Sequence, residues 1–177
     1  ATPDLLSVSL DQPQYKVGET ATLRVSARRA GTALVSVLAD SVVSHQFVDM
    51  AEGESEIALE VTPDWSTGAY VTATLLTPTS ATDPMPTRAM GLAYAAVDPE
   101  NRALQVTLDA PDIAPARADY TVTLTANGAE PGQTVYATLA GVDAGILGLT
   151  GCEPPDPQGH YFGQRALGIG IRDTYGR

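Results

Sequence analysis

Apolar and polar positions alternate through the first hundred residues. Leu6, Val8 and Leu10 share one side, and Ala21, Leu23, Val25 and Ala27 alternate with Thr22, Arg24, Ser26 and Arg28. A period of two with charged residues on the off positions predicts strands with one wet face. Between these runs, Pro13-Gln-Tyr-Lys-Val-Gly-Glu19 reads as a turn whose glycine is free to take positive φ. Ala33, Val35, Val37 and Ala39 predict a further strand, with residues 43–50 as its hairpin partner across Asp40-Ser41 and residues 56–61 following. Pro63-Asp-Trp-Ser-Thr-Gly68 then breaks the chain before residues 69–76, where Val71, Ala73 and Leu75 face one way. The stretch 77–86 holds three prolines, which excludes it from a sheet interior, and residues 88–97 make the closing strand. About seven short strands, with turn signals roughly every 8 to 12 residues, predict an antiparallel β-sandwich.

The pattern then starts again. Val8-Ser-Leu-Asp11 recurs as Val106-Thr-Leu-Asp109, with Pro13 answered by Pro111. Tyr120, Val122, Leu124 and Ala126 repeat the alternation of Ala21 to Ala27, and Val135, Ala137 and Leu139 answer Ala33, Val35 and Val37 after Asn127-Gly128 and Pro131-Gly132. The offset drifts only from 98 to 102, which predicts two copies of one domain, 1–98 and 102–177, joined by Asp98-Pro-Glu-Asn101. After Ala140 the second copy departs from the template.

Residues 141–177 replace the missing strands. Nine of the 16 glycines fall there, together with Pro154, Pro155, Pro157, Tyr161, Phe162 and Tyr175. Each glycine costs about 1 kcal/mol against alanine inside a helix, so this density argues against regular helix. It predicts a segment laid over a support and pinned by its rings. A sandwich without its closing strands has open edges and an uncovered core face. The expectation is therefore that Ile146, Leu147, Leu149, Phe162, Leu167, Ile169 and Ile171 cover the second sandwich, partly as an added strand.

Composition narrows the partners. A 44% hydrophobic content over 177 residues suffices for one good core or two small ones. The formal net charge of −11 argues against nucleic acid, whose phosphates need clustered cations, and against anionic lipid surfaces. No apolar run approaches the roughly 20 residues of a membrane span, and the start does not resemble a signal peptide. The abrupt beginning at Ala1-Thr-Pro and end at Gly176-Arg177 are read as those of an excised fragment of a longer protein. A lone Cys152 excludes an internal disulfide.

Candidate chemistry is sparse. His45 lies in a strand beside Ser44 and Gln46, and His160 lies in the tail, neither with a second ligand at metal spacing, so both read as surface or packing residues. Asp109, Asp112 and Asp119 carry oxygen for calcium, yet the interleaved prolines and alanines favour a solvated loop. Trp65 offers a sugar-stacking face, but in a sandwich turn it more readily anchors the core edge. No basic neighbour lowers the pKa of the Cys152 thiol, which is read as inert. Tyr161 and Phe162 suit a partner hot spot, although covering the unfinished sandwich is the plainer role. No Gly-x-Ser-x-Gly, phosphate loop or zinc helix is present. The sequence thus assigns no catalytic, cofactor-binding or metal residue, no cofactor and no enzymatic activity.

Several motifs carry a resemblance to a known family. Tyr15-Lys-Val-Gly-Glu19 resembles the Tyr-Lys-Pro-Gly-Glu turn of macroglobulin domains, with Val17 in the place of the proline, and Trp65-Ser-Thr-Gly-Ala-Tyr70 resembles their Pro-x-Gly-x-Tyr strand entry. More specific is Val142-Asp-Ala-Gly-Ile-Leu147, continued by Pro155-Asp-Pro157, Tyr161-Phe-Gly163, Leu167-Gly168 and Arg172-Asp-Thr-Tyr-Gly176. It is similar to the segment preceding the bait region in bacterial α2-macroglobulins, with Ala144 at a position often acidic.

The resemblance implies an all-β pair of macroglobulin or fibronectin III-like sandwiches, the second incomplete and covered by the Gly-rich tail that leads to the bait. It also implies a scaffold role in a broad-spectrum protease trap of the periplasm or cell envelope, whose parent is lipid-anchored or secreted. Partners would be proteases, met through the full-length protein, and neighbouring macroglobulin domains, with no direct membrane contact by this piece. The bait would begin at or just after Arg177, and Cys152-Glu-Pro-Pro155 is not the family's thioester sequence. A double sandwich alone also permits an adhesin-like or carbohydrate-binding module, which an exposed aromatic platform at Trp65 would favour. An enzyme accessory domain would require a pocket uniting His45 with two carboxylates.

Overall fold

The computed structural model describes residues 5–78, 87–114, 117–151, 153 and 155–172. Cys152, Pro154, most of the proline loop and the Asp173-Thr-Tyr-Gly176 end of the tail motif lie outside the described residues. Contacts divide the chain into two compact units, Ala1–Asp98 with Gly159–Arg177, and Pro99–Gln158.

The first unit is a sandwich of two sheets, with strands where the alternation predicts them. One sheet orders β1 (Ser7–Leu10), β3 (Thr20–Ala27) and β6 (Gly53–Glu60) as β1-β3-β6, all antiparallel. The other holds β2 (Gln14–Tyr15), β4 (Gly31–Leu38), β5 (Val42–Met50), β7 (Gly68–Thr77) and β8 (Thr87–Val97) in the order β2-β8-β7-β4-β5. In the small sheet Leu23 pairs with Ile57 and Ala21 with Leu59, all four buried, while Arg24 pairs with Glu56 on the wet face and forms an ion pair there. From the large sheet, Val35, Val37, Val71, Ala73, Ala95 and Val97 enter the same core. Full burial of each Val or Leu contributes about 1.5 to 3 kcal/mol, so the inward positions fix the register of every strand.

Two local features join the sheets. Strand β1 pairs with β3, yet the Leu6 amide donates to the Met90 carbonyl of β8 at 3.0 Å. This approach needs Gly91, because a Cβ there would collide with the Val8 methyls and the Leu6 carbonyl oxygen. The Pro63–Trp65 segment is a single 3-10 turn, and it drops Trp65 into the core at 1% exposure.

The predicted Pro13–Glu19 turn also contributes two residues to a sheet, since β2 pairs in parallel with the end of β8. Its tyrosine ties the turn together. Tyr15 is 1% exposed, and its hydroxyl donates to Asp11 Oδ1 at 2.6 Å while accepting from the Gln12 amide at 3.0 Å. Asp11 Oδ1 also accepts from the Thr22 amide at 2.8 Å. These bonds hold the Asp11 carboxyl below its ordinary value, the Tyr15 hydroxyl first and the Thr22 amide next. Burial, then the Asp11 bond, pushes the Tyr15 hydroxyl up to about 12. Gly18, at φ +91°, completes the turn by donating to the Val61 carbonyl.

The second unit is sparser. Strands β9 (Gln105–Asp109) and β10 (Thr123–Asn127) form an antiparallel pair. They repeat the β1–β3 pairing with a slide of two residues: Val8 faces Val25, whereas Val106 faces Ala126 and not Leu124. An even slide keeps Val106, Leu108, Leu124 and Ala126 on one face. Residues 135–139, expected to answer β4, form no strand. Among the described residues none beyond Val97 is buried, and Val106, Leu108, Tyr136 and Leu139 are all more than half exposed.

The tail differs from the sequence expectation in two ways. Glycine does not keep it from helix: α1 (Ala144–Thr150) and α2 (Pro157–Phe162) form within it. In α1 the cost of Gly145 and Gly148 is offset by its ends. The Asp143 carboxylate accepts from the Gly145 and Ile146 amides at 2.8 and 3.2 Å, and Gly151 terminates the helix in the left-handed region at φ 60°. Second, the stretch beyond Gly159, expected on the second sandwich, compacts with the first.

Candidate functional site

The stretch from Gly163 to Leu167 meets the first sandwich on the outer face of its five-stranded sheet. Alternation along β7 turns Val71 and Ala73 inward, so Tyr70 points outward, and the register sets it opposite Tyr94 of β8. The two rings lie 5.0 Å apart at 55°, a favourable tilted aromatic contact. Tyr94 reaches this position over Gly68, where a Cβ would collide with its hydroxyl and with the Ala95 carbonyl. Burial, and secondarily the neighbouring Tyr70, raises the Tyr94 hydroxyl above its ordinary value.

Gln164 and Arg165 both bond to this pair through the Tyr70 hydroxyl. The Tyr70 hydroxyl donates to the Arg165 carbonyl at 2.6 Å and accepts from Gln164 Nε2 at 3.0 Å. The Gly163 amide donates to the Gly159 carbonyl at the end of α2, and Arg165 Nη2 to the Tyr161 carbonyl at 3.4 Å, so the helix and the anchored stretch are continuous. Between tail and sheet remains a cavity of about 30 Å³, lined among others by Asp40, Gly68, Tyr94 and Leu167. Room of that size suits ordered water.

The candidates weighed from the sequence behave differently. His45 lines an open groove of about 300 Å³ with Glu60, Asp64 and Trp65, bringing a histidine and two carboxylates to one surface. All three ionisable side chains are exposed, and no hydrogen bond or ion pair joins them. A general base is oriented by such bonds. Trp65 presents no stacking face because it is buried. His160 sits edge-on to Tyr161 with a centroid separation of 5.0 Å, both exposed. Among the described residues, no three His, Cys, Asp or Glu side chains are placed to hold a metal, the set Asp109, Asp112 and Asp119 included. Tyr161 is 60% exposed and Phe162 half-buried, so the pair does not act as one plug.

Sequence reasoning quoted Tyr70 only as part of a strand entry and missed Gln164 and Arg165. One signal was available: period two places Tyr70 on the wet face, where a tyrosine with an otherwise inward-facing strand asks for a partner. Nothing local marks Gln164 or Arg165.

Comparison with known proteins adds an independent line. Residues 6–149 match the family model of the alpha-2-macroglobulin bait region domain. The chain is 33% identical over its whole length to an alpha-2-macroglobulin of Xylella fastidiosa and 29% identical over 99% of its length to that of Escherichia coli, and in each case spans 11% of the relative. Among solved structures it is similar to the native conformation of E. coli alpha-2-macroglobulin, with a TM-score of 0.69 and 25% identity over 95% of this chain and 11% of that one. It is equally similar to the trypsin-activated form of the same protein, with a TM-score of 0.69 and 26% identity over 94% of this chain and 11% of that one.

Proposed function

The chain belongs to the alpha-2-macroglobulin family, and on that premise we propose that it is the scaffold carrying the entry to the bait in a broad-spectrum protease inhibitor. In this reading a protease cuts the bait in the longer protein, and the macroglobulin domains rearrange to enclose it. Residues 1–98 form one macroglobulin-like sandwich. A second, partial one is begun by β9 and β10 within the unit Pro99–Gln158 and finished by chain supplied elsewhere, while the stretch from Gly159, which compacts with the first unit, leads toward the bait. Proteases and neighbouring macroglobulin domains are the partners, and the periplasm or cell envelope is the setting. No helix among the described residues is long and apolar enough to cross a membrane. This piece supplies no chemical step; its work is to hold chain and transmit a change in tension.

The observation that carries the reading is the attachment at Tyr70: among the described residues, the stretch 164–168, without ladder bonds of its own, is hydrogen-bonded to the sheet through the Tyr70 hydroxyl. A load on the tail passes to the first sandwich through that point. The trypsin-activated state of the E. coli relative supports proteolysis as the trigger. The alternative of a carbohydrate-binding or adhesin-like module loses its best support with Trp65 buried.

The test is limited trypsin digestion of the longer protein, with cleavage sites mapped by mass spectrometry and shape followed by small-angle scattering. Early cleavage confined to a segment following this one, accompanied by compaction, is expected. Scattered nicking without a change in shape would overturn the proposal.

A further inference from the structure

We infer that the Tyr70 hydroxyl is a single-point release catch for the tail, so that residues 164–167 leave the sandwich in one step and not bond by bond. The inference rests on the reading that the tail leads to a cleavable trigger, and it adds to that reading the place where the tail lets go.

The fixed half of the catch is stiff. Strand β7 is an interior strand of the large sheet, paired with β8 from Gly68 to Thr77 and with β4 from Tyr70 to Leu76. Tyr70 stands on it with its ring braced against Tyr94, and Tyr94 is seated over Gly68. The moving half is loose. Residues 164–168 form neither helix nor strand, and Gly163, Gly168 and Gly170 flank the attachment. Among the described residues, both hydrogen bonds that tie this stretch to the sandwich run through the same oxygen.

That sharing determines how the contact fails. A strand held by a ladder gives way one bond at a time, each lost bond leaving the next intact. Here the hydroxyl's only proton goes to the Arg165 carbonyl, which polarises the oxygen and strengthens its acceptance from Gln164. Loss of the carbonyl bond therefore weakens the amide bond, and removal of the hydroxyl abolishes both. Leu167, half-buried beside Gly68 and Tyr94, adds apolar contact, but among the described residues no hydrogen bond joins residues 166–168 to the sheet.

The chain carries its own reporter. Trypsin cuts after arginine, and it requires the substrate carbonyl to enter the protease's own donors. The Arg165 carbonyl is occupied by Tyr70 while the catch is closed, so cleavage of the Arg165–Ala166 bond measures the open fraction. Cleavage after the exposed Arg117 in the other unit serves as the reference.

Two exposed bonds at the lower end of the ordinary net worth predict that Tyr70→Phe raises the relative cleavage rate at Arg165 about tenfold, with the ring and its stacking on Tyr94 retained. Gln164→Ala, which leaves the sandwich untouched, is expected to raise it about threefold. The double variant is expected to match Tyr70→Phe alone, because both bonds share one atom. A Tyr70→Phe chain cut no faster than the parent, or a Gln164→Ala effect that multiplies in full on top of it, would overturn the catch. In the longer protein, Tyr70→Phe is expected to hasten the shape change after trigger cleavage without altering the cleavage itself, and equal rates would overturn its regulatory role. The bait reading fails separately, through the absence of any compaction in the unsubstituted longer protein.

Discussion

Substituting Tyr15→Phe removes one oxygen atom and keeps the buried ring, which isolates what the Tyr15–Asp11 bond contributes to the first sandwich. The hydroxyl donates to a carboxylate at 2.6 Å and accepts from a backbone amide at 3.0 Å. A hydrogen bond to a charged group has a net worth of about 1.5 to 3 kcal/mol. Asp11 and Gln12 are exposed, so water can replace the hydroxyl on their side, which puts the expected loss at the lower end, about 1.5 kcal/mol. For a domain near a hundred residues this corresponds to a fall of roughly 6 to 12 °C in melting temperature.

The pH dependence is the sharper part of this prediction. The Asp11 carboxyl is depressed in the folded state, so its contribution is intact above its ordinary value of 3.8 and disappears as pH falls through the lower folded value. The Tyr15 hydroxyl is raised from 10.0 to about 12, so its contribution is intact below 10.0 and disappears as pH rises toward 12. Tyr15→Phe lacks the second titration and loses the largest cause of the first. The gap in stability between parent and variant is therefore widest on a plateau between these limits and narrows at both ends. Urea unfolding followed by fluorescence reports on this unit alone, because Trp65 is the only tryptophan and sits in its core. A gap below about 0.5 kcal/mol at neutral pH, or one that stays constant from acid to alkali, would refute the assignment of this bond as the turn's anchor.

Two further outcomes follow from the geometry. Gly91→Ala sets a methyl group against Val8 and the Leu6 carbonyl, so overpacking of about 1 to 3 kcal/mol is expected, with β1 displaced; a crystal structure or an unchanged urea midpoint decides it. Asp143→Ala removes the acceptor for the second and third amides of α1 and costs about 1 kcal/mol of a seven-residue helix, so amide exchange at Gly145 and Ile146 is expected to accelerate while the Trp65 transition stays in place.

The first sandwich was legible strand by strand because its signal is local and repeated. Each alternating run buries one face, a slip of one residue would expose it, and Val35, Val37, Val71 and Ala73 leave no second choice. The family was legible for a related reason: Tyr15 to Glu19 and, more specifically, Val142 to Leu147 are short strings readable along the chain, and in the first the Tyr15 hydroxyl ties the turn together. The tail misled where a propensity was summed without its ends. Gly145 and Gly148 weaken a helix, but Asp143 and Gly151 close both termini of one too short for propensity to dominate.

Taken alone, then, the sequence determined the strands of the first unit and the recurrence of its opening strands in the second. Only the tertiary structure decided where the tail rests and what holds it there. Alternation couples neighbours two residues apart and can be read along the chain. The bonds from Tyr70 to Gln164 and Arg165 span 94 and 95 positions, depend on one hydroxyl aimed by a sheet, and leave no periodic trace in the residues they join.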